Sequence, residues 1–263
     1  MSRHSPFLFW SKEGAGSPLL LVHGFAGRGE SWAEIARPLA EERAVISLHL
    51  PGHHPSHPAP PGASFDELVD RLADRVRQEL PIPIHGAGYS MGGRIVLAML
   101  ARHPDLFWGA TLIGASPGIA AEEEREQRRI WDERWADLLE RGGIEAFVRE
   151  WERLPLFQTQ ARLTGEILLR QRSIRLGHDP KGLAAAFRAL ALSAMPDYTP
   201  HLARIAAPVL LAAGEEDPKF VAIAEEMVLP LRRGSMVVIP SSGHNVPLER
   251  PDILIDLFRR HNP

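Results

Sequence analysis

The chain has 263 residues, 44% of them hydrophobic and 24% charged, the balance of a folded protein and enough length for one large domain or one domain with a sizeable insertion. A net charge of −3 argues against a general nucleic-acid surface, and the lack of cysteine excludes disulfide and thiolate chemistry while permitting a reducing compartment. The first apolar stretch, Phe7-Leu8-Phe9-Trp10, is too short for a signal segment or a membrane span, so a cytoplasmic protein with no membrane partner is expected.

Phe7 to Trp10 and Leu19 to Val22 read as strands, the second a continuous apolar run of the kind buried in parallel sheets. It leads into His23-Gly24-Phe25-Ala26-Gly27, where His23 is expected to brace the loop through hydrogen bonds. A helix is expected from Ser31 to Glu42 with Ser31 as its N-cap, followed by a strand at Ala44 to Leu48. The proline-rich stretch from Pro51 to Pro61 carries His53, His54 and His57. It offers no carboxylate or fourth ligand at a fitting spacing, so it reads as a solvated loop and no metal site is expected. Ser64-Phe65-Asp66-Glu67 is a capping box that opens a helix running to about Leu80.

Ile82 to Ala87 is mostly apolar, with His85 as a satisfied core histidine; Gly88-Tyr89-Ser90-Met91-Gly92 follows, and then a helix-forming run from Gly93 to Arg102. A strand is expected at Ala110 to Ile113. From Glu122 to Leu192 there is only helical periodicity, in Ile130, Trp131, Trp135, Leu138 and Leu139 and again in Phe147, Val148 and Trp151, punctuated by Pro155, Gly165, Gly177 and Pro180. Strand patterns resume at Val209 to Ala213 and Met236 to Ile239. This alternation predicts an α/β protein with a mostly parallel central sheet flanked by helices. Residues 1–118 and 195–263 form the expected core. Residues 119–194 form a helical lid inserted between the sixth and seventh strands.

Strand, sharp turn, helix is the context that makes Gly-x-Ser-x-Gly a nucleophile elbow, with Ser90 raised above the sheet. Two further strand ends supply partners in the chain order an α/β hydrolase fold uses: Gly214-Glu215-Glu216-Asp217 and Gly243-His244. His244 would take the serine's proton and Asp217 would orient the imidazole, with Glu215 and Glu216 as rival acids and Glu216 not excluded by spacing. The loop after Val22 and the residue after the serine place the oxyanion-hole amides at Phe25 and Met91. Arg94 lies one helical turn past the elbow, where a buried guanidinium needs an anion or an acidic partner.

Leu-Val-His-Gly-Phe (21–25), Gly-Tyr-Ser-Met-Gly-Gly-Arg (88–94), Pro-Leu-Phe (155–157), His-Asp-Pro-Lys-Gly-Leu-Ala (178–184), Gly-Glu-Glu-Asp-Pro-Lys-Phe (214–220) and Gly-His-Asn (243–245) resemble one branch of the α/β-hydrolase superfamily. That branch is the 2-succinyl-6-hydroxy-2,4-cyclohexadiene-1-carboxylate synthases of menaquinone biosynthesis, and the likeness covers nearly the whole chain. It implies a carbon–carbon lyase that eliminates pyruvate from a small polycarboxylate substrate without cofactor or metal, the Ser90 oxygen acting as base. It also implies substrate-binding roles for Tyr89, Arg94, Arg128, Trp151 and Arg175, with Arg125 and Arg129 competing for the place of Arg128. A small pocket walled by arginines is expected. The chain departs from the family's Asp-Leu-Pro-Gly-His-Gly at His49 and His54, and from its Gly-Thr-Gly-x-Gln-Pro-Ser-Leu-Trp at 191–198. A serine hydrolase of esters or carbon–carbon bonds, and a ligand-binding protein on a hydrolase scaffold, are the alternative readings.

Overall fold

The computed structural model describes residues 9–260. Its strands are β1 (Phe9–Glu13), β2 (Pro18–Val22), β3 (Ala44–His49), β4 (Ile84–Tyr89), β5 (Phe107–Ile113), β6 (Val209–Gly214) and β7 (Gly234–Ile239). They form one sheet in the order β1-β3-β2-β4-β5-β6-β7. Only β1 runs antiparallel, against β3; the other neighbours are parallel. The expected first strand began at Phe7, but Phe7 and Leu8 lie outside the described residues.

β2 shows why the sheet is covered on both faces. Leu19 and Leu21 join a cluster with Trp32, Ile35 and Phe258, while Leu20 and Val22 point the other way into a cluster with Leu68, Ile95 and Leu97. A period of two with both sets apolar requires helices on both sides. α1 (Ala33–Leu39) and α9 (Pro251–Arg260) cover the first face; α2 (Phe65–Glu79), α3 (Met91–Arg102) and α7 (Pro218–Val228) supply residues to the second cluster, and α8 (Val246–Glu249) is a short turn before α9. The capping box forms as expected: the Glu67 amide donates to Ser64 Oγ at 3.3 Å and the Ser64 amide to Glu67 Oε2 at 2.8 Å.

Ser31 does not cap α1. It sits inside a tight 3₁₀ turn, Gly29–Trp32, where its hydroxyl accepts from the Arg28 amide at 3.1 Å. Burying Trp32 against the sheet draws in that turn, and regular helix begins only at Ala33.

No strand interrupts residues 119–194. The segment folds as α4 (Glu122–Trp151), a 3₁₀ stretch (Pro155–Arg162), α5 (Gly165–Leu176) and α6 (Pro180–Leu190). α4 bends at Gly143, whose φ of 76° no helix accommodates. Trp135, Leu139, Phe147, Trp151, Leu183 and Phe187 give these helices a core of their own. The segment leaves the sheet after β5 and returns at β6, so it follows the fifth strand and not the sixth as expected; five strands precede it among the described residues.

The loop after β3 also departs from expectation. His54 and His57 are exposed, but His53 is wholly buried. Backbone partners make this possible: the Ala26 amide donates to His53 Nε2 and His53 Nδ1 donates to the Pro51 carbonyl, so no ring nitrogen is stranded. Among the described residues no group of three or more side chains is arranged to hold a metal, and no helix is long and apolar enough to cross a membrane.

Candidate active site

Ser90 sits between β4 and α3 at φ 53°, ψ −111°, a left-handed conformation that a β-carbon makes uncommon. The glycines around it let the turn close. A β-carbon on Gly88 would lie 2.3 Å from the Gly92 carbonyl oxygen, and one on Gly92 would lie 2.1 Å from that of Val22. The elbow thus rests directly on β2, and α3 begins at Met91 with amides that have no acceptor inside the helix.

The ends of β6 and β7 bring the partners. His244 Nε2 lies 3.1 Å from Ser90 Oγ, and His244 Nδ1 lies 2.7 Å from Asp217 Oδ2. A carboxylate accepts, so Nδ1 carries the proton and Nε2 is left to accept from the serine hydroxyl. His244 and Asp217 are both buried. The rival acids go elsewhere: Glu215 accepts from the Ser241 amide, and Glu216 pairs with Arg162. Gly114 and Gly214 make the approach possible, since a β-carbon on Gly114 would meet His244 at 3.0 Å and one on Gly214 would meet the Gly243 carbonyl oxygen at 2.1 Å.

Above Ser90 lies a cavity of about 840 Å³ reaching from the elbow to α4, α6 and α7. It is not the small pocket expected. Phe25, Met91, Arg94, Arg128, Trp151 and His244 are among the residues on its walls. The segment 191–198 contributes only Ala191 and Leu192 to the lining. Beyond them the segment turns away: Met195 is buried and the Tyr198 hydroxyl donates to Asp66 at 2.6 Å.

Arg94 is buried, and its Nη1 donates to the Leu190 carbonyl at 3.0 Å. Burial, and then the nearby Arg128 charge, push its guanidinium down to about 9, with Asp132 opposing. Arg128 faces the cavity too. Its Nε donates to Asp132 Oδ1 at 2.7 Å and its guanidinium stacks over Trp131. Its competitors do not line the cavity: Arg125 donates to the Ile119 carbonyl and Arg129 to Glu126. Trp151 belongs both to the cavity wall and to the core of the inserted helices, stacked on Phe147.

Arg175 is the residue the structure sets apart. It lines a separate cavity of about 60 Å³, bounded by Tyr89, Phe157, Gln171 and Asn245. There Nη1 donates to Glu152 at 3.0 Å, and Arg172 also bonds Glu152. Burial holds its pKa below the usual arginine range, with Glu152 opposing. Tyr89 stands between the two cavities and borders both; burial raises its phenol.

Sequence reasoning passed over Asp132. Its carboxylate is buried and spans from Arg128 to the Ser193 hydroxyl, which donates to Oδ2 at 2.7 Å. The i, i+4 spacing of Arg128 and Asp132 was the available signal. His178 opens one of the family-like stretches but draws no role of its own from the sequence: it contacts Ala26 across 152 positions, and nothing local marks such a contact.

Residues 17–251 match the family model of the α/β hydrolase fold. A protein of Bacillus subtilis described as a putative 2-succinyl-6-hydroxy-2,4-cyclohexadiene-1-carboxylate synthase is 33% identical over 90% of this chain and 87% of its own length. The solved structure of MenH from S. aureus superposes with a TM-score of 0.90 at 31% identity, covering 95% of this chain and 96% of that one. A malate-bound thermophilic esterase from Thermogutta terrifontis gives a TM-score of 0.82 at 28% identity, covering 96% and 92%.

Proposed function

The chain belongs to the α/β hydrolase fold family and, within it, to the 2-succinyl-6-hydroxy-2,4-cyclohexadiene-1-carboxylate synthases, and on that premise we propose that Ser90, His244 and Asp217 carry out a pyruvate-eliminating lyase reaction. The substrate is 2-succinyl-5-enolpyruvyl-6-hydroxy-3-cyclohexene-1-carboxylate. The ring carbon bearing the succinyl ketone loses its proton to Ser90 Oγ, which passes its own to His244 Nε2; Asp217 stabilises the imidazolium. The electron pair left behind forms a double bond to the adjacent ring carbon, and the existing ring double bond shifts one position. The ring bond to the enolpyruvyl oxygen breaks, and pyruvate leaves as its enolate to be protonated.

The bond broken is carbon–oxygen, because an enolpyruvyl group is joined to the ring through oxygen. The expectation of carbon–carbon cleavage is corrected on that ground. Negative charge gathering on the succinyl carbonyl is received by the Phe25 and Met91 amides. Arg94 and Arg128 take substrate carboxylates, with Tyr89 and Trp151 shaping the wall. Residues 119–194 act as the lid. The elimination calls only on a base and an oxyanion hole, so no cofactor is assigned. The reading extends to a cytoplasmic enzyme working on a small anion, with neither nucleic acid nor membrane as partner.

The observation that carries this reading is Ser90 Oγ at 3.1 Å from His244 Nε2 on the floor of a cavity that also holds Arg94 and Arg128. Incubating purified enzyme with authentic substrate should release pyruvate and the diene in equal amounts with no solvent oxygen incorporated. Absence of pyruvate would overturn it. The breadth of the cavity, about 840 Å³, favours one secondary reading, hydrolysis of bulky esters through an acyl-serine. A burst of alcohol release from an activated ester, with turnover indifferent to Arg94→Ala, would mark that reading as the main activity.

A further inference from the structure

The loop that carries Phe25 contains a strained residue that the proposed reaction does not itself explain. Ala26 follows Phe25 directly and adopts φ 56°, a left-handed conformation that non-glycine residues hold only when their surroundings enforce it. Both polar backbone atoms of Ala26 are gripped by imidazoles. Its amide donates to His53 Nε2 at 3.2 Å, and its carbonyl accepts from His178 Nε2 at 3.2 Å.

The second nitrogen of each ring is anchored on main chain as well. His53 Nδ1 donates to the Pro51 carbonyl at 3.1 Å, and His178 Nδ1 accepts from the His54 amide at 3.0 Å. These partners fix the tautomers: His53 carries its proton on Nδ1, His178 on Nε2. Each neutral ring therefore serves one donor and one acceptor, which an imidazolium cannot do. His23 repeats the pattern beside them, donating from Nδ1 to the Gly24 carbonyl at 2.8 Å and accepting at Nε2 from the Leu50 amide at 3.0 Å.

The rings pack edge to face, His23 on His53 at 4.9 Å and His53 on His178 at 5.4 Å, and Phe25 rests on His53 at 5.5 Å. Three separate segments meet in this stack: the end of β2, the loop after β3, and the turn that opens α6 in the lid. Phe25 is also pressed into the lid core, 4.3 Å from Phe187 and 5.4 Å from Trp151.

We propose that His53 and His178 are positioning residues for the reaction: by holding the two poles of Ala26 in its left-handed turn they aim the preceding Phe25 amide at the developing oxyanion. One of the two belongs to the lid, so the oxyanion hole is complete only when that segment is seated. The inference rests on the reading of the Phe25 amide as an oxyanion donor.

The test exploits the shape of the two amide side chains. The end of glutamine reaches the place of an imidazole Nε2, and the end of asparagine the place of Nδ1. His53→Gln and His178→Gln keep the contacts to Ala26, whereas His53→Asn and His178→Asn keep only the contacts to Pro51 and His54. Turnover by the asparagine variants should fall about 100-fold with KM changed less than about threefold, a large part of what loss of a whole oxyanion donor costs. The glutamine variants should recover to within about tenfold of wild type. Phenylboronic acid, whose tetrahedral adduct on Ser90 Oγ places an oxygen in the hole, should weaken by a similar factor in the asparagine variants alone. Thermal unfolding is followed in parallel, and if His53→Asn does not fold, the His178 pair carries the comparison.

Equal losses in the glutamine and asparagine variants, tracking unfolding temperature, would overturn the proposal and leave the rings a purely structural brace. A wild type that binds the boronate yet releases no pyruvate would instead overturn the assigned reaction. The boronate affinities of the four variants would still decide the role of the histidines.

Discussion

The floor of the large cavity holds its polar groups by backbone geometry, whereas the roof holds its arginines by side-chain pairing. On the floor Ser90, Asp217 and His244 each follow the end of a parallel strand, and the glycines at 88, 92, 114 and 214 leave the chain almost no other path. On the roof Arg128 is directed by Asp132, and in the neighbouring small cavity Arg175 is directed by Glu152. Strand ends fix a side chain through the sheet. A helix surface offers several neighbouring arginines and leaves the choice to whichever carboxylate folds beside them.

Cutting the floor gives the largest effect. Ser90→Ala should lower turnover by about 10²–10⁴, the range of a lost general base, with little change in stability, because the hydroxyl is only part-buried and bonded to His244. The size of the loss is diagnostic. A fall nearer 10⁶ would indicate a covalent nucleophile and favour the hydrolase reading.

Arg94 joins the two regions, rooted in α3 on the floor and aimed into the cavity. It donates to the Leu190 carbonyl, and the nearby Asp132 carboxylate is shared with Arg128; in the proposed reaction a substrate carboxylate meets the remaining charge. Arg94→Ala should reduce kcat/KM about 10–150-fold, the worth of a hydrogen bond to a charged group at about 1.5–3 kcal/mol. An unchanged value measured with authentic substrate would remove the anion-binding role.

The two helix arginines can be told apart by comparing Arg128→Ala with Arg175→Ala. Arg128 lines the large cavity and is partly exposed, so its loss should raise KM about 5–10-fold. It should also cost about 1 kcal/mol of stability, because the buried Asp132 keeps only the Ser193 hydroxyl and amide. Arg175 is buried in the smaller cavity and bound to Glu152. Its removal should cost about 1–2 kcal/mol of stability, less than a fully broken buried pair because Arg172 still meets Glu152. The reverse pattern in steady-state kinetics and urea unfolding would exchange the two assignments.

The same division explains what could be read in the sequence. The elbow was legible because Gly88, Ser90 and Gly92 are adjacent, and the sheet because Leu19 to Val22 and Val209 to Ala213 are continuous apolar runs. Asp217 could not be separated from Glu216 by spacing; the choice is made in space, where Glu216 reaches Arg162 and Asp217 reaches His244. His53 looked solvated because its neighbours are prolines and exposed histidines. Its burial is decided by Ala26 and by His178, far away in the chain. Arg175 matched a family position, yet the last turn of α5 places it in the small cavity bordered by Tyr89 and out of the main one.

The smallest expected effect tests the seam between the two regions. Burial holds His23 down at about 3 and His178 at about 4, against an ordinary value of 6.5, with His53 also well below it. The groups facing them are cationic or neutral: His49 faces all three, His23 and His178 face His53, and Arg28 and His54 face His178. A depressed folded-state pKa means that the unfolded chain binds protons first as pH falls. Stability is therefore complete above about 6.5 and declines from there toward pH 4, where His178 at last protonates in the folded protein. The slope is about 1.4 kcal/mol per pH unit for each ring. His178→Gln cannot titrate, so urea unfolding between pH 5 and 6.5 should show its slope flattened by about that amount. An unaltered slope would mean that His178 is protonated, or unseated, in the folded protein at pH 5, and that the lid does not hold Ala26 there.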